Sequence, residues 1–166
     1  MRAKATLLLS ALTAVLVFGG CSLLLRESGD DGVYGRFVTI ETTAYCSCGQ
    51  CCQWKYDSAG RPVHSQGRQK GKPKAVGMTA SGKMAHPGTI AADTRYYPLG
   101  TLMYVPGYGY GVVEDRGGDI KGRRRIDLYF ETHQQALRWG RQKLDVVVFP
   151  KGSPAMRKDA PPPIVN

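Results

Sequence analysis

Six short segments with β-strand character constrain the fold of this 166-residue chain more than any other sequence feature. They are rich in β-branched and aromatic residues, and the first of them alternates between polar and apolar positions. Turn-forming residues, such as those at 98–100 and 117–118, separate them. Because closing a sheet on itself removes exposed strand edges, six short strands favour a small closed barrel. The segments are 36–45, 88–92, 101–105, 110–114, 125–130 and 144–149.

One helix is predicted after the fifth segment. Thr132 is a good N-cap, and Gln135 follows three residues later, as in a capping box. Gly140 is placed to end the helix. The polar, basic segment 53–75 is interpreted as a long loop, which either holds an acidic polymer or is a solvated insertion. The pattern therefore predicts one mainly β domain, residues 36–150, with a single clear short helix.

The N-terminal segment, residues 1–20, has the features of an export signal. A short basic stretch precedes an apolar run, which is shorter than the roughly 20 residues that a membrane span needs. Gly19-Gly20-Cys21 resembles a bacterial lipoprotein processing site, which implies cleavage before Cys21 and acylation of that cysteine. A plain signal peptide and an uncleaved anchor are the alternatives. We expect 21–35 to be a tether and 151–166, with three consecutive prolines, a flexible tail.

The charge of the chain predicts anionic partners. Lysine and arginine number 23 against 13 acidic residues, a formal net charge of +10. Such a surplus attracts polyanions, and for an exported protein these are anionic lipid, teichoic acid and the carboxylates of peptidoglycan stem peptides. We expect no nucleic-acid partner. Ser22, and not an aspartate, follows Cys21. In this the chain resembles lipoproteins that are sent to the outer membrane, which implies a place there, facing the periplasm, if the host has two membranes.

Asp127 is the most unusual acidic residue, because it lies inside an apolar strand segment. Alternation along that segment puts Ile126 and Leu128 on one face and Asp127 on the other. Partly apolar surroundings raise the pKa of a carboxyl group, as a general acid near neutral pH requires. The alternative is a structural aspartate paired with one of the arginines at 123–125. Arg125 lies on the same strand face as Asp127.

A series of motifs, in order, gives the chain a family resemblance over about residues 38–149. It resembles the 3D domain, named for three aspartates and found in the C-terminal part of membrane-bound lytic transglycosylase A and in stationary-phase muralytic proteins. The motifs are Thr43-Ala44-Tyr45, Thr79-Ala80-Ser81-Gly82, Gly88-Thr89-Ile90-Ala91-Ala92-Asp93, Pro98-Leu99-Gly100-Thr101, Glu114-Asp115, Gly117-Gly118, Ile120-Lys121-Gly122 and Ile126-Asp127-Leu128-Tyr129-Phe130.

The resemblance implies a six-stranded double-psi β-barrel and a non-hydrolytic cleavage of peptidoglycan glycan strands. By the same resemblance, Asp127 is the catalytic acid and Asp115 a second catalytic-site carboxylate. Asp93, Thr79 and Lys83 are then expected to bind substrate. No cofactor is implied, and the protein is expected to be a monomer.

Some residues depart from the family pattern. Arg116 stands where the family often has Thr, and Asp119 where it often has Ala. Three consecutive arginines, 123–125, precede Asp127, and a nearby guanidinium lowers the pKa of an aspartate. The alternative functions are therefore a non-catalytic glycan-binding module on the same barrel, or a structural lipoprotein that uses its basic loop to tether wall to membrane.

Four cysteines form a C-x-C-x-x-C-C cluster at Cys46, Cys48, Cys51 and Cys52. If Cys21 carries lipid, an even number remains in an oxidising compartment, so two disulfides are expected. Each of the adjacent Cys51 and Cys52 would then pair with Cys46 or Cys48. A zinc site and free thiols are the alternatives. No metal ligand is assigned on this basis, and the three histidines are given no role.

Overall fold

The structure is a computed structural model that describes residues 35–150. The predicted signal peptide, the lipidation site at Cys21 and the C-terminal tail lie outside the described residues, as does the tether up to residue 34. Within 35–150, no helix has both the length and the apolar character to cross a membrane.

The domain consists mainly of short strands, as predicted. The two helices are α1 (Gly49–Cys52) and α2 (His133–Trp139), and a single 3₁₀ turn covers Gly67–Gln69. In chain order the strands are β1 (Arg36–Tyr45), β2 (Trp54–Tyr56), β3 (Pro62–His64), β4 (Thr89–Ala92), β5 (Leu102–Val105), β6 (Gly109–Asp115), β7 (Arg125–Tyr129) and β8 (Gln142–Val148). All six predicted strands form, with boundaries that shift by no more than two residues.

Six of the strands close into a barrel in the order β1-β7-β4-β6-β5-β8, and β8 pairs back onto β1. The β1–β7 and β4–β6 pairs are parallel, whereas the other barrel pairs are antiparallel. If β1, β4 and β5 are exchanged with β6, β7 and β8, in that order, the same pairs of strands remain neighbours in the barrel. In this internal two-fold repeat, each of the two parallel pairs joins one strand of the first half to one strand of the second, and the arrangement confirms the expected double-psi β-barrel.

The barrel interior is a continuous apolar core. On β7, the side chains of Ile126 and Leu128 are fully buried, and Asp127 between them faces outward, as the alternation predicts. Burying each such aliphatic side chain contributes about 1.5–3 kcal/mol. The core residues are Ile40, Ile90, Ala92, Tyr97, Met103, Val105, Val113, Ile126, Leu128 and Val146.

The predicted helix is α2. The Thr132 hydroxyl accepts from the backbone N–H of Gln135, whose side chain accepts from the Thr132 N–H, so the capping box forms. The backbone N–H of Gly140 ends the helix by donating to Ala136. The Trp139 indole donates to the Thr42 hydroxyl at 3.2 Å, which attaches the helix to β1.

The prediction of a loop over 53–75 was wrong in its first half. β2 and β3 form an antiparallel hairpin, whose turn is held by the Asp57 carboxylate accepting from the N–H groups of Ala59 and Arg61. The Trp54 indole ties the hairpin to the domain by donating to the Ser47 carbonyl at 2.9 Å. Each strand has only three residues, which is too short for alternation to show in a polar segment.

Candidate active-site groove

A groove of about 320 Å³ opens on the outer face of the barrel, where β1, β7, β4 and β6 lie side by side. It contains two of the three aspartates that the sequence singled out. The lining residues are Tyr45, Ser47, Cys51, Cys52, Gln53, Lys74, Gly77, Met78, Ala85, Ala91, Asp115, Arg116, Gly117, Gly118, Asp119, Ile120 and Asp127.

Strand register brings the polar groups of the groove into one row. Asp127 pairs with Thr43 on one side and with Ala91 on the other, and Ala91 pairs in turn with Asp115. Neighbouring strands lie about 4.8 Å apart, which places the backbones of the two aspartates about 10 Å apart. The small side chain of Ala91 lies between them and leaves room for a ligand.

Asp127 is a half-buried carboxyl group with one close partner. The Thr43 hydroxyl donates to its Oδ1 atom at 2.7 Å. Burial raises the pKa of Asp127, and the negative charge of Asp115 raises it further. The Thr43 hydrogen bond and the positive charges of Arg125 and Arg141 act in the opposite direction, but the net pKa remains above the ordinary aspartate value.

Two of the three arginines before Asp127 are engaged elsewhere. The Nε and Nη2 atoms of Arg125 bind Glu41 Oε1 at 3.0 and 2.8 Å, and Arg141 binds the same oxygen. Arg123 lies over the ring of Tyr96, 5.4 Å from its centroid. The alternative of a structural Asp127–arginine pair is therefore not formed, although Arg125 does share the strand face of Asp127.

Asp115 is held as a hydrogen-bond acceptor at the far side of the groove. Its Oδ1 atom accepts from the backbone N–H of Ala80 at 2.9 Å and of Arg116 at 2.8 Å. Its Oδ2 atom accepts from the Tyr45 hydroxyl at 3.3 Å. Burial, followed by the charge of Asp115, raises the pKa of Tyr45, so this phenol keeps its proton and remains a donor.

Asp93 lies outside the groove lining, although the resemblance implied substrate binding. Its carboxylate forms two hydrogen bonds to the Arg95 guanidinium, at 3.0 and 2.7 Å, and accepts from the Gly122 N–H at 2.8 Å. The Arg95 hydrogen bond, followed by that of Gly122, holds the pKa of Asp93 well below its usual range. These contacts favour a structural role, in which Asp93 joins the loops before β5 and β7.

Thr79 and Lys83 also lie outside the groove lining. Thr79 is buried, and its hydroxyl donates to the Lys83 carbonyl at 2.8 Å. The Lys83 ammonium pairs with the buried Glu114 at 2.9 Å. This segment supports the site indirectly, because the Ala80 N–H between them donates to Asp115.

Three residues of the family motifs have contacts here but were assigned no role at the site from the sequence: Thr43, Tyr45 and Glu114. Thr43 and Tyr45 lie two positions apart on β1, so alternation puts them on one face. Their contacts with Asp127 and Asp115 depend on long-range pairing, which no local pattern reveals. Glu114 has a local signal, an acid beside Val113 in a buried strand.

The four described cysteines are free thiols, and the expected disulfides are not formed. Three of them, Cys46, Cys48 and Cys51, converge with His133 into a group that is able to bind a metal ion. Cys52 is outside this group, and its thiol donates to the Cys46 carbonyl at 3.2 Å. The sequence had assigned His133 no role.

One family model matches part of the chain. Residues 88–150 match the 3D domain family. YabE of Bacillus subtilis, whose name describes a cell wall shaping protein, is 30% identical over 116 residues, which cover 69% of this chain and 23% of YabE. YocH of the same organism, named a cell wall-binding protein, is 38% identical over 77 residues, which cover 44% of this chain and 26% of YocH. The matches thus span about a quarter of each relative.

Two solved structures are similar to about half of this chain. MltA from Escherichia coli, a lytic transglycosylase, is 22% identical with a TM-score of 0.39, and the match covers 49% of this chain and 30% of MltA. LtgG of Burkholderia pseudomallei, also a lytic transglycosylase, is 26% identical with a TM-score of 0.37, covering 47% and 28%.

Proposed function

We propose that this chain, which contains a 3D domain, is a lytic transglycosylase of bacterial peptidoglycan. It cleaves the β-1,4 bond between N-acetylmuramic acid and N-acetylglucosamine and leaves 1,6-anhydro ends. The observation that carries the proposal is Asp127: a half-buried carboxyl group with a raised pKa, in an open groove, that no arginine of residues 35–150 binds. The cell-wall names of the Bacillus subtilis relatives support peptidoglycan as the substrate.

In the first step, protonated Asp127 donates its proton to the glycosidic oxygen as the bond to the muramic acid C1 atom breaks. Positive charge then develops on that sugar ring. The raised pKa keeps a larger fraction of Asp127 protonated near neutral pH than an ordinary aspartate would have. The Thr43 hydroxyl occupies Oδ1, so Oδ2 is the oxygen available to carry the proton.

In the second step, Asp127 is a carboxylate and accepts the proton of the C6 hydroxyl of the same muramic acid. The C6 oxygen attacks C1 and closes the 1,6-anhydro ring, which returns Asp127 to its protonated state. Because no water molecule attacks, the second carboxylate that ordinary glycosidases use to activate water is unnecessary.

Asp115 supplies a fixed negative charge on the opposite side of Ala91. Its three donors, Ala80, Arg116 and Tyr45, hold the carboxylate in place. In that position it raises the pKa of Asp127 and stabilises positive charge on a sugar ring bound between the two aspartates. Asp93, Thr79 and Lys83 act through the loops that they hold together.

The test is digestion of purified peptidoglycan sacculi by the chain, with mass spectrometry of the released 1,6-anhydro-muropeptides. Asp127→Asn is expected to lower release at least about 100-fold. Asp145→Asn is the matched control, because Asp145 is an exposed β8 residue that accepts from Thr39. If the wild type binds sacculi and releases no anhydro product, the enzyme proposal is wrong and the chain is a glycan-binding module.

We further propose that the chain is exported and anchored to the cell envelope by lipid on Cys21. The apolar N-terminal run and the Gly19-Gly20-Cys21 site support this, as do the cell-wall relatives. Mass spectrometry of the mature N-terminal peptide is the direct measurement. An unmodified peptide that begins elsewhere would contradict the anchor and leave the glycan-cleavage proposal untouched.

A further inference from the structure

Four side chains converge beside the groove in the geometry of a metal site. The ligand atoms of Cys46, Cys48, Cys51 and His133 all lie within 4.8 Å of one another. Cys46 is buried, and the other three are partly buried. The group joins two distant parts of the chain, because His133 follows the cysteines by more than 80 residues.

The spacing of these atoms agrees with a tetrahedron around zinc. Zn–S bonds of about 2.3 Å and Zn–N bonds of about 2.0–2.1 Å give tetrahedral edges of about 3.8 Å between sulfurs and about 3.5 Å between sulfur and nitrogen. The Cys46–Cys51 sulfurs are 3.8 Å apart. His133 Nδ1 is 3.5 Å from Cys48 Sγ and 3.4 Å from Cys51 Sγ.

Local structure on both sides presents these ligands. Cys48 is the N-cap of α1, and its sulfur accepts from the Cys51 N–H at 3.5 Å, so one turn brings the two thiols to the same side. His133 is the first residue of α2, directly after the Thr132 cap. Both helix N-termini are formed by backbone hydrogen bonds and caps, without a disulfide.

We propose that Cys46, Cys48, Cys51 and His133 bind one structural Zn²⁺ ion. Three sulfur ligands and one imidazole nitrogen, with every position filled by protein, are typical of structural rather than catalytic zinc. The ion ties the end of β1 to the start of α2. Two disulfides would need all four cysteines, whereas the structure directs Cys52 away, to the Cys46 carbonyl, and puts a histidine in its place.

The zinc site adjoins the groove without forming part of the proposed chemistry. Cys46 follows Tyr45, which donates to Asp115, and Cys51 lines the groove wall. The inference does not depend on the proposed glycan cleavage, because metal content, thiol state and stability measure it directly.

The experiment uses the full chain, expressed with its own N-terminal segment and purified without chelator or added metal. Elemental analysis is expected to find one Zn²⁺ per chain. After denaturation without reductant, the thiols of Cys46, Cys48, Cys51 and Cys52 should all react with an alkylating agent. Removing zinc with a chelator should lower the melting temperature by roughly 10 °C.

Two pairs of variants identify the ligands. Cys48→Ser and His133→Gln are expected to lose the zinc, whereas the matched controls Cys52→Ser and His64→Gln should retain it. For variants that fold poorly, Co²⁺ titration of the chelated wild type is a second readout, and it should give the absorption bands of tetrahedral thiolate coordination. Thiols that react only after reduction, zinc that is absent, or zinc content equal in all four variants would overturn the proposal.

Discussion

At the scale of single residues, Asp127 has surroundings that suit one carboxyl group acting first as an acid and then as a base. Burial and the Asp115 charge favour its protonated form, and the Thr43 hydroxyl stabilises its charged form. The net effect is a raised pKa, while the Thr43 hydrogen bond still stabilises the carboxylate form that the second step needs. Glu41 binds the guanidinium of Arg125, whose positive charge acts to lower the pKa of Asp127.

The pH dependence of anhydro product release should follow the protonation of Asp127. Release requires the protonated form, so it should fall as pH rises through the raised pKa. Thr43→Val removes a hydrogen bond that lowers this pKa, and we expect the falling limb of the profile to move to higher pH. A limb that stays in place or moves to lower pH would contradict the assignment of Asp127.

Asp127 should also destabilise the fold at neutral pH. Because the pKa is higher in the folded than in the unfolded chain, the unfolded chain loses its proton first, and stability falls as pH rises from about 4 through the folded pKa. Asp127→Asn should therefore raise the free energy of unfolding at pH 7, and a tenfold difference in the proton affinity of Asp127 between the folded and unfolded chain corresponds to about 1.4 kcal/mol. Thermal melts of both proteins should converge below pH 4, and a constant difference at all pH values would count against this explanation.

At the scale of elements, the site depends on connections that lie behind it. Asp93 follows β4 and binds Arg95 and the Gly122 N–H, so it joins the loop before β5 to the loop before β7. β7 carries Asp127, and β6 ends at Asp115. The three aspartates of the family pattern thus have different surroundings in this chain.

Asp93→Asn should lower stability and leave anhydro product release largely intact. The Arg95 contact lowers the pKa of Asp93, so the charged form stabilises the fold at neutral pH, and this contribution is lost as pH falls through the folded pKa. Melting curves from pH 7 down to pH 3 should show the gap between variant and wild type shrinking. A variant with wild-type stability and no product release would instead indicate that Asp93 binds substrate.

At the scale of the whole molecule, six basic side chains meet on a face next to the groove strands. A second cavity there is lined by basic residues and by Glu41, close to the arginines that precede Asp127. Such a face raises the local concentration of anionic polymer and makes binding sensitive to salt. Its basic residues are Arg36, Lys121, Arg123, Arg124, Arg125 and Lys143.

The double variant Arg123→Glu/Arg124→Glu should weaken binding to sacculi, and it should reduce the salt dependence of binding measured by co-sedimentation. Arg68→Glu/Lys70→Glu, in the 3₁₀ turn after the hairpin and at its C-cap, makes the same change of charge; it is the matched control and should have a smaller effect. A larger loss of binding in the control variant would favour the alternative in which segment 53–75 tethers the wall.

The sequence by itself determined the six barrel strands and helix α2. Alternation over 36–45, the turn residues between segments and the Thr132–Gln135 capping box are local signals, and the strands and the helix form where those signals are. The outward position of Asp127 also follows from alternation alone. The hairpin of β2 and β3 was missed because three-residue strands carry no period.

Only the tertiary structure decided which side chains meet. Thr43 reaches Asp127 across 84 residues, and Cys48 reaches His133 across 85. Both contacts depend on the closure of the barrel, on the parallel register of β1 on β7 and on the position of α2 beside β1. Register and closure arise from the burial of a shared core, a sum over all six barrel strands that no local segment of the sequence contains.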